Sequence, residues 1–186
     1  LYFLLLYGFR TYAALSIILS LIIYKVLISK RRKTNILLLI LLGGIVYTFF
    51  KNITFPIVNM SIEDALSYRD YFISVAPGGS QMNIPLDQNN YLLFLIFYFY
   101  SFIGNLLGPL PWQINNMSHI LAFLFETIPF ILILRTIYKK RKLLNKIHSF
   151  LIANSFSWFM LISLSNDNIG ASTRLRVIGW ILLIIV

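Results

Sequence analysis

The most regular feature of this sequence is the alternation of long apolar runs with short polar segments. The apolar runs cover residues 11–29, 36–50, 91–107, 118–138, 150–164 and 177–186. A helix needs about 20 mostly apolar residues to cross the hydrocarbon core of a bilayer, and several of these runs approach that length. The pattern therefore predicts an all-α fold, a polytopic transmembrane helix bundle that forms one transmembrane domain over residues 1–186.

Both ends of the sequence lie inside apolar stretches. The stretch that contains residue 1 lacks the basic start and the small-residue cleavage site of a signal peptide. The last run covers only residues 177–186, which is about half of what a span requires. We therefore expect the chain to be an internal piece of a longer polytopic protein.

Residues 51–90 form the longest segment without a strong apolar run. Ser61 followed by Glu63 and Asp64 is typical of a helix N-cap. The apolar residues that follow predict a short helix through about Val75, lying along the membrane surface. The segment carries four acidic side chains against two basic ones, namely Glu63, Asp64, Asp70 and Asp87 against Lys51 and Arg69. This balance favours a long loop on the non-cytoplasmic side.

Composition strengthens the membrane prediction and argues against a metal site. Of the 186 residues, 59% are hydrophobic and 12% are charged, whereas soluble domains average roughly half and roughly a quarter. The mean hydropathy is +0.80. The sequence has no cysteine, which excludes disulfides and thiolate ligands, and its two histidines, His119 and His148, are far apart. We expect neither a metal nor another cofactor.

The net charge of +10 comes mainly from two basic clusters, residues 30–33 and residues 139–142 with Lys146. Each cluster follows directly on an apolar run, which is the pattern of cytoplasmic loops that contact anionic lipid head groups. Membrane lipids are therefore the expected partners, and nucleic acid is not.

The same two clusters create a conflict about topology. If both are cytoplasmic, an even number of crossings must separate them, yet three apolar runs lie between. Either one run is re-entrant, or the first cluster lies outside, or residues 51–90 contain another crossing. The runs 36–50 and 91–107 are the best candidates for incomplete spans. Placing the second cluster inside puts residues 108–117 and 165–176 together on the outer face.

Residues 165–176 form a polar segment between two apolar runs, and they include Arg174 and Arg176. Two guanidiniums at this spacing, in a loop or at a helix start, are able to bind one pyrophosphate together, each through bidentate hydrogen bonds. Backbone N–H groups at a helix N-terminus would add to such an anion site. The alternative is that the two arginines simply anchor a span at the lipid head groups.

Three carboxylates and one further arginine are candidates for chemistry. Asp167 is a candidate general base or sugar-binding carboxylate, and its alternative is a turn residue. Glu126 lies inside an apolar run, where a carboxylate is costly and marks a functional site by default; it could equally pair with an arginine of a neighbouring helix or line a wet cavity. Arg69 and Asp70 lie on the expected surface helix, where they either contact a sugar or face solvent without a function.

Four motifs together resemble those of a group of bacterial polytopic membrane proteins. They are Pro77-Gly-Gly-Ser80, Gly108-Pro-Leu-Pro-Trp-Gln113, Glu126 within a span, and Asn168-Ile-Gly-Ala-Ser-Thr-Arg-Leu-Arg176. The group is associated with cell-envelope polysaccharide synthesis and is similar to O-antigen or capsule repeat-unit polymerases and their glycosyltransferase relatives. The resemblance covers roughly residues 60–186, and the last motif departs slightly at Gly170–Thr173 without touching the arginines.

The resemblance implies glycan transfer at the outer face of the bacterial cytoplasmic (inner) membrane, between saccharides linked to polyprenyl diphosphate. It assigns Arg174 and Arg176 to the pyrophosphate, where positive side chains stabilise the charge of the leaving group. It assigns Arg69 to a second phosphate or a sugar, and Asp167 or Glu126 to activation of the acceptor. The arginines supply the charge, so that no metal is required.

Two other functions fit the same residues. One is a transferase that uses a polyprenyl-monophosphate sugar, with Glu63, Asp64 or Asp70 as its base. The other is a transporter or flippase without transferase activity, in which Glu126 occupies a site near the membrane midplane beside broken helices.

Overall fold

The computed structural model describes residues 11–54, 59–75 and 79–186. The named secondary-structure elements of these residues are helices. Residues 1–10, 55–58 and 76–78 lie outside this description, and with them Pro77 and Gly78 of the first motif. The helices are α1 (Thr11–Ile28), α2 (Arg32–Phe50), α3 (Ile62–Val75), α4 (Tyr91–Leu107), α5 (Met117–Lys139), α6 (Lys146–Ser165) and α7 (Ile169–Ile184).

Three of the described helices, α2, α5 and α6, are long and apolar enough to cross a membrane. The apolar part of α1 and the whole of α4 are shorter. The predicted all-α class is thus confirmed for the described residues, which include three helices long and apolar enough to cross a membrane. The helix predicted to run from Ser61 to about Val75 is present as α3, and α3 exposes part of its apolar side, including Phe72 and Val75.

Asparagine side chains begin four of these helices. The side-chain oxygens of Asn90, Asn116, Asn145 and Asn168 each accept a hydrogen bond from a backbone N–H in the first turn of α4, α5, α6 and α7, respectively. Such caps satisfy N–H groups that have no partner within the helix. The abundance of asparagine in an otherwise apolar chain therefore has a local structural reason.

Helix α3 begins with the predicted reciprocal cap. The Ser61 hydroxyl accepts a hydrogen bond from Asp64 N at 3.0 Å, and the Asp64 carboxylate accepts from Ser61 N at 2.7 Å. These hydrogen bonds lower the pKa of the Asp64 carboxyl. Directly after α2, Lys51 forms ion pairs with Glu63 at 2.7 Å and with Asp87 at 2.6 Å. Burial alone would lower the pKa of Lys51, but these partners raise it.

The main core surrounds α6. Trp158 and Phe159 of α6 are buried with Phe130 of α5 and Leu183 of α7. One polar group of this core is satisfied by the backbone of α7, because Trp158 Nε1 donates to the carbonyl of Leu175 at 2.8 Å. A second core joins α2, α3 and α4, and in it the rings of Tyr47 and Phe94 stack at 4.2 Å.

Close packing of α6 against α7 depends on Gly179. A Cβ atom at this position would lie 2.5 Å from Cε2 and 2.9 Å from Cζ of Phe159, which is itself fully buried. We expect Gly179→Ala to lower the free energy of unfolding by about 1–3 kcal/mol, because a packed core does not absorb an added methyl group. The measurement is unfolding of the purified protein in mixed micelles with increasing dodecyl sulfate.

The matched control is Gly79→Ala, because a Cβ atom there meets no atom within 4 Å. Equal unfolding midpoints for the two variants would contradict the packing described for Gly179.

Candidate functional site

A buried ion pair joins α3 to the segment between α6 and α7. Arg69 of α3 is 1% exposed and Asp167 is 5% exposed. Nη2 of Arg69 donates a hydrogen bond to Oδ1 of Asp167. The guanidinium also donates to Asn166 O at 2.7 Å, Ser101 Oγ at 3.2 Å, Ser163 O at 3.2 Å and Ile84 O at 3.3 Å. Burial lowers the pKa of Arg69, and the charge of Asp167 opposes that effect.

Asp167 holds a third segment in place as well. Its carboxylate accepts hydrogen bonds from Asn83 N at 2.8 Å and from Ile84 N at 3.2 Å. Two backbone hydrogen bonds, Met82 N to Asp167 O and Ile169 N to Ser80 O, both at 2.8 Å, continue this pairing. The structure therefore places Asp167 at the junction of three segments. Both of its side-chain oxygens already accept hydrogen bonds, and its assignment as a general base stays a prediction.

Two of the motifs behind the family resemblance meet at this junction. Ser80, which closes the first motif, donates from its hydroxyl to Asn168 Oδ1 at 3.1 Å, and Gln81 forms an isolated antiparallel bridge with Asn168. Asn168 in turn caps α7. The start of α7 is therefore fixed from both its own side chain and the neighbouring segment.

Asn105, in α4, is a buried polar residue that the sequence interpretation did not single out. It exchanges amide hydrogen bonds with Asn166, at 2.7 Å and 3.2 Å, and its carbonyl accepts from Ser172 Oγ at 3.1 Å. It is fully buried. Burying an asparagine inside an apolar run is costly unless its amide is hydrogen-bonded. The position of Asn105 in such a run was therefore the one feature of the sequence that could have indicated its role in joining α4 to α7.

Arg174 and Arg176 lie on different sides of α7 and do not converge on one site. Because α7 already begins at Ile169, both residues are inside the helix, where a separation of two positions turns the side chain by about 200°. Arg174 is exposed, and Arg176 is fully buried. The expected pair of forks on one pyrophosphate depended on a loop or a helix start at these residues, and the helix removes that arrangement.

Arg176 connects two further motifs. One Nη donates to the carbonyl of Gly108, and Nε donates to Ser172 O at 3.2 Å. Glu126 Oε2 lies 3.9 Å from Nη1, and the guanidinium lies over the Trp180 ring at 5.3 Å from its centroid. Glu126 therefore pairs with an arginine of a neighbouring helix, as one interpretation of the sequence predicts; the other interpretation is that Glu126 lines a wet cavity.

Glu126 belongs to a π-helical turn, Phe123–Thr127, inside α5. Pro129 follows and has no N–H to donate to the preceding turn, which is a common cause of such a local distortion. π-helical turns occur often at functional sites. The Glu126 side chain is 34% accessible, but its Oε2 atom is buried and has no hydrogen-bond partner among the described residues.

A cavity of about 750 Å³ lies between α3, the end of α6 and the start of α7. One part of its wall is polar and includes Arg69, Asp167 and Arg174. The rest is mostly apolar and aromatic. Its lining comprises Met60, Ala65, Tyr68, Arg69, Phe72, Ile73, Gln81, Leu161, Ile162, Ser165, Asn166, Asp167, Asn168, Gly170, Ala171, Arg174 and Leu175.

The cavity brings together three of the six predicted site residues, namely Arg69, Asp167 and Arg174. Glu126 and Arg176 form a separate group on the other side of α7. Asp70 is exposed on α3 and does not line the cavity. Desolvation, with the charge of Asp87 in second place, raises the pKa of the Asp70 carboxyl.

No cluster of three or more histidine, cysteine or acidic side chains able to hold a metal ion occurs in the part of the chain that the structure describes.

No protein family matches this sequence, and neither a curated protein nor a solved structure does.

Proposed function

We propose that this protein is an integral protein of the bacterial cytoplasmic membrane that acts in envelope polysaccharide synthesis. The protein transfers or polymerises saccharides carried on a polyprenyl phosphate or diphosphate, at the outer face of the membrane. The observation that carries this proposal is the cavity between α3, α6 and α7, which combines an apolar wall with an exposed arginine.

The chemistry of the cavity suits an amphiphile with an anionic head. Tyr68, Phe72 and Leu161 provide apolar surface for an isoprenoid chain, and Arg174 provides a planar fork for a phosphate. Asn168 and Gln81 add amide groups that are able to bind sugar hydroxyls. A volume of about 750 Å³ lies within the range of small-molecule sites, about 300–1,000 Å³.

The contacts at the opposite end of α6 support an outward-facing cavity. Tyr24, near the end of α1, packs against Phe150, near the start of α6, with ring centroids 6.1 Å apart. This contact brings the two basic clusters to the same end of the bundle, because one follows α1 and the other precedes α6. The cavity lies at the other end of α6. The positive-inside rule then puts the basic end in the cytoplasm and the cavity outside.

The same contacts favour one of the three solutions to the topology conflict, a re-entrant α4. Near its start, Phe94 stacks on Tyr47 close to the end of α2. Near its end, Asn105 bonds Asn166 beside the cavity. Residues near both ends of α4 therefore contact residues near the cavity ends of α2 and α6, and this helix of 17 residues is shorter than a span needs. Two crossings, α2 and α5, then separate the basic clusters, as an even number requires.

Deletion of the gene in the bacterium that carries it tests the proposed activity. We expect the envelope polysaccharide to shorten and its lipid-linked precursor to accumulate at the outer face of the membrane, because transfer from the lipid fails. Gel analysis of the polysaccharide and mass spectrometry of extracted lipids measure both effects.

Complementation with the wild type and with Arg135→Ala, an exposed arginine on α5 outside the cavity lining, provides the control; both should restore the polymer. An unchanged polysaccharide after deletion would overturn the proposal. Accumulation of the precursor at the cytoplasmic face would instead indicate a flippase.

A further inference from the structure

The charged side chains of the cavity leave a single uncompensated positive charge. Among the described lining residues these side chains are Arg69, Asp167 and Arg174. Arg69 and Asp167 neutralise each other in a buried pair. Arg174, by contrast, is exposed and has no ion pair or hydrogen-bond partner among the described residues. A ligand in this cavity therefore meets one free guanidinium.

The second arginine of the motif does not add to this charge. Arg176 is fully buried, lies outside the cavity lining and donates to Gly108 O and Ser172 O. Its nearest carboxylate is Glu126, at 3.9 Å. To reach the cavity, the guanidinium would have to leave these partners and pass to the other side of α7.

We infer that the cavity selects a lipid with a singly charged phosphodiester, namely a polyprenyl-phosphate-linked saccharide, over the corresponding diphosphate. The inference rests on the proposed function and specifies the donor that the cavity accepts. The single positive charge of the Arg174 guanidinium balances the single negative charge of a phosphodiester. A diphosphate brings a second negative charge close to Asp167, and the described lining residues offer no second free cation to balance it. A charge left unpaired in a partly buried site weakens binding.

The beginning of α7 forms part of the cavity wall. Gly170 and Ala171 line the cavity next to Arg174, and the positive end of the helix dipole lies there. Arg69, which also lines the cavity, has a buried Nε atom without a hydrogen-bond partner. The helix dipole adds only a partial positive charge, and the charge of Arg69 is already compensated by Asp167, so neither changes the formal charge balance of the cavity.

The test compares binding of three lipids to the purified protein in detergent by native mass spectrometry. They are the undecaprenyl phosphodiester of a monosaccharide, the undecaprenyl diphosphate of the same monosaccharide, and phosphatidylglycerol, which carries the same single charge on an ordinary phospholipid. We expect the phosphodiester to bind about tenfold more tightly than the diphosphate, the effect of one charged hydrogen bond. Arg174→Ala should remove most of that binding, and Arg135→Ala should not.

The outcomes separate the inference from the proposed function. Equal or tighter binding of the diphosphate by the wild type would overturn the inference and leave the proposed function standing. Failure of both undecaprenyl lipids to bind would overturn both. Equal binding of phosphatidylglycerol would also overturn both, because the cavity would then be a site for bulk lipid. The discrimination is measured on the wild type and does not depend on the folding of a variant.

Discussion

Asp167→Asn is expected to lower the free energy of unfolding by about 3–5 kcal/mol, because removing one member of a buried ion pair leaves the other charge unpaired. The charge left behind is that of Arg69, which is 1% exposed. In the wild type, the N–H groups of Asn83 and Ile84 both donate to the Asp167 carboxylate. The asparagine amide would turn its NH2 group towards one of these N–H groups, so that two donors would face each other. The measurement is the dodecyl sulfate titration proposed above for the core variants.

Asp70→Asn is the matched control for this prediction. It makes the same carboxylate-to-amide change at the residue after Arg69, on an exposed side chain, and should change stability by no more than about 0.5 kcal/mol. Adding Arg69→Met to Asp167→Asn should recover part of the loss, since the unpaired guanidinium is then gone. If Asp167→Asn unfolded at the same midpoint as Asp70→Asn, the result would contradict a stabilising role of the ion pair between α3 and the segment that precedes α7.

The helices were predictable because their cause is local. A run of apolar residues must satisfy its backbone within the helix in lipid, and the runs at 36–50, 91–107, 118–138 and 150–164 are each helical. The cap at Ser61 was predictable for the same reason, because its partner is three residues away. The cavity was not, since its wall combines residues 60–81 with residues 161–175, and their pairing depends on contacts far apart in the sequence.

The two arginines of the last motif show how a small error in helix phase changes a site. Whether Arg174 and Arg176 face the same way depends on where α7 begins. Asn168 caps the helix, and asparagine is among the preferred N-cap residues. Treating it as the cap would have placed both arginines inside the helix and on different sides. The pairing of Arg69 with Asp167, at a separation of 98 residues, had no comparable local indication.

Arg174→Ala is expected to lower kcat/KM for saccharide transfer by about 10²–10³-fold, the effect of losing one donor that stabilises charge developing in the transition state. Under the proposed function, an acceptor hydroxyl bonds to the anomeric carbon of the donor sugar as the bond from that carbon to the lipid phosphate breaks. The lipid phosphate is the leaving group, and Arg174 is the exposed guanidinium in the cavity. Arg174→Lys should retain more activity than alanine but less than arginine, because an ammonium keeps the charge and loses the fork. The assay is transfer from a lipid-linked saccharide by purified protein in detergent.

Arg176→Lys distinguishes a role in transfer from a role in folding. Lysine at this position cannot reproduce both the hydrogen bond to Gly108 O and that to Ser172 O, and it should lower the yield of folded protein. Transfer per folded molecule should then change by less than about tenfold, because the side chain lies outside the cavity lining. A folded Arg176→Lys protein without activity, beside an active Arg174→Ala protein, would place the phosphate on the Glu126 side of α7.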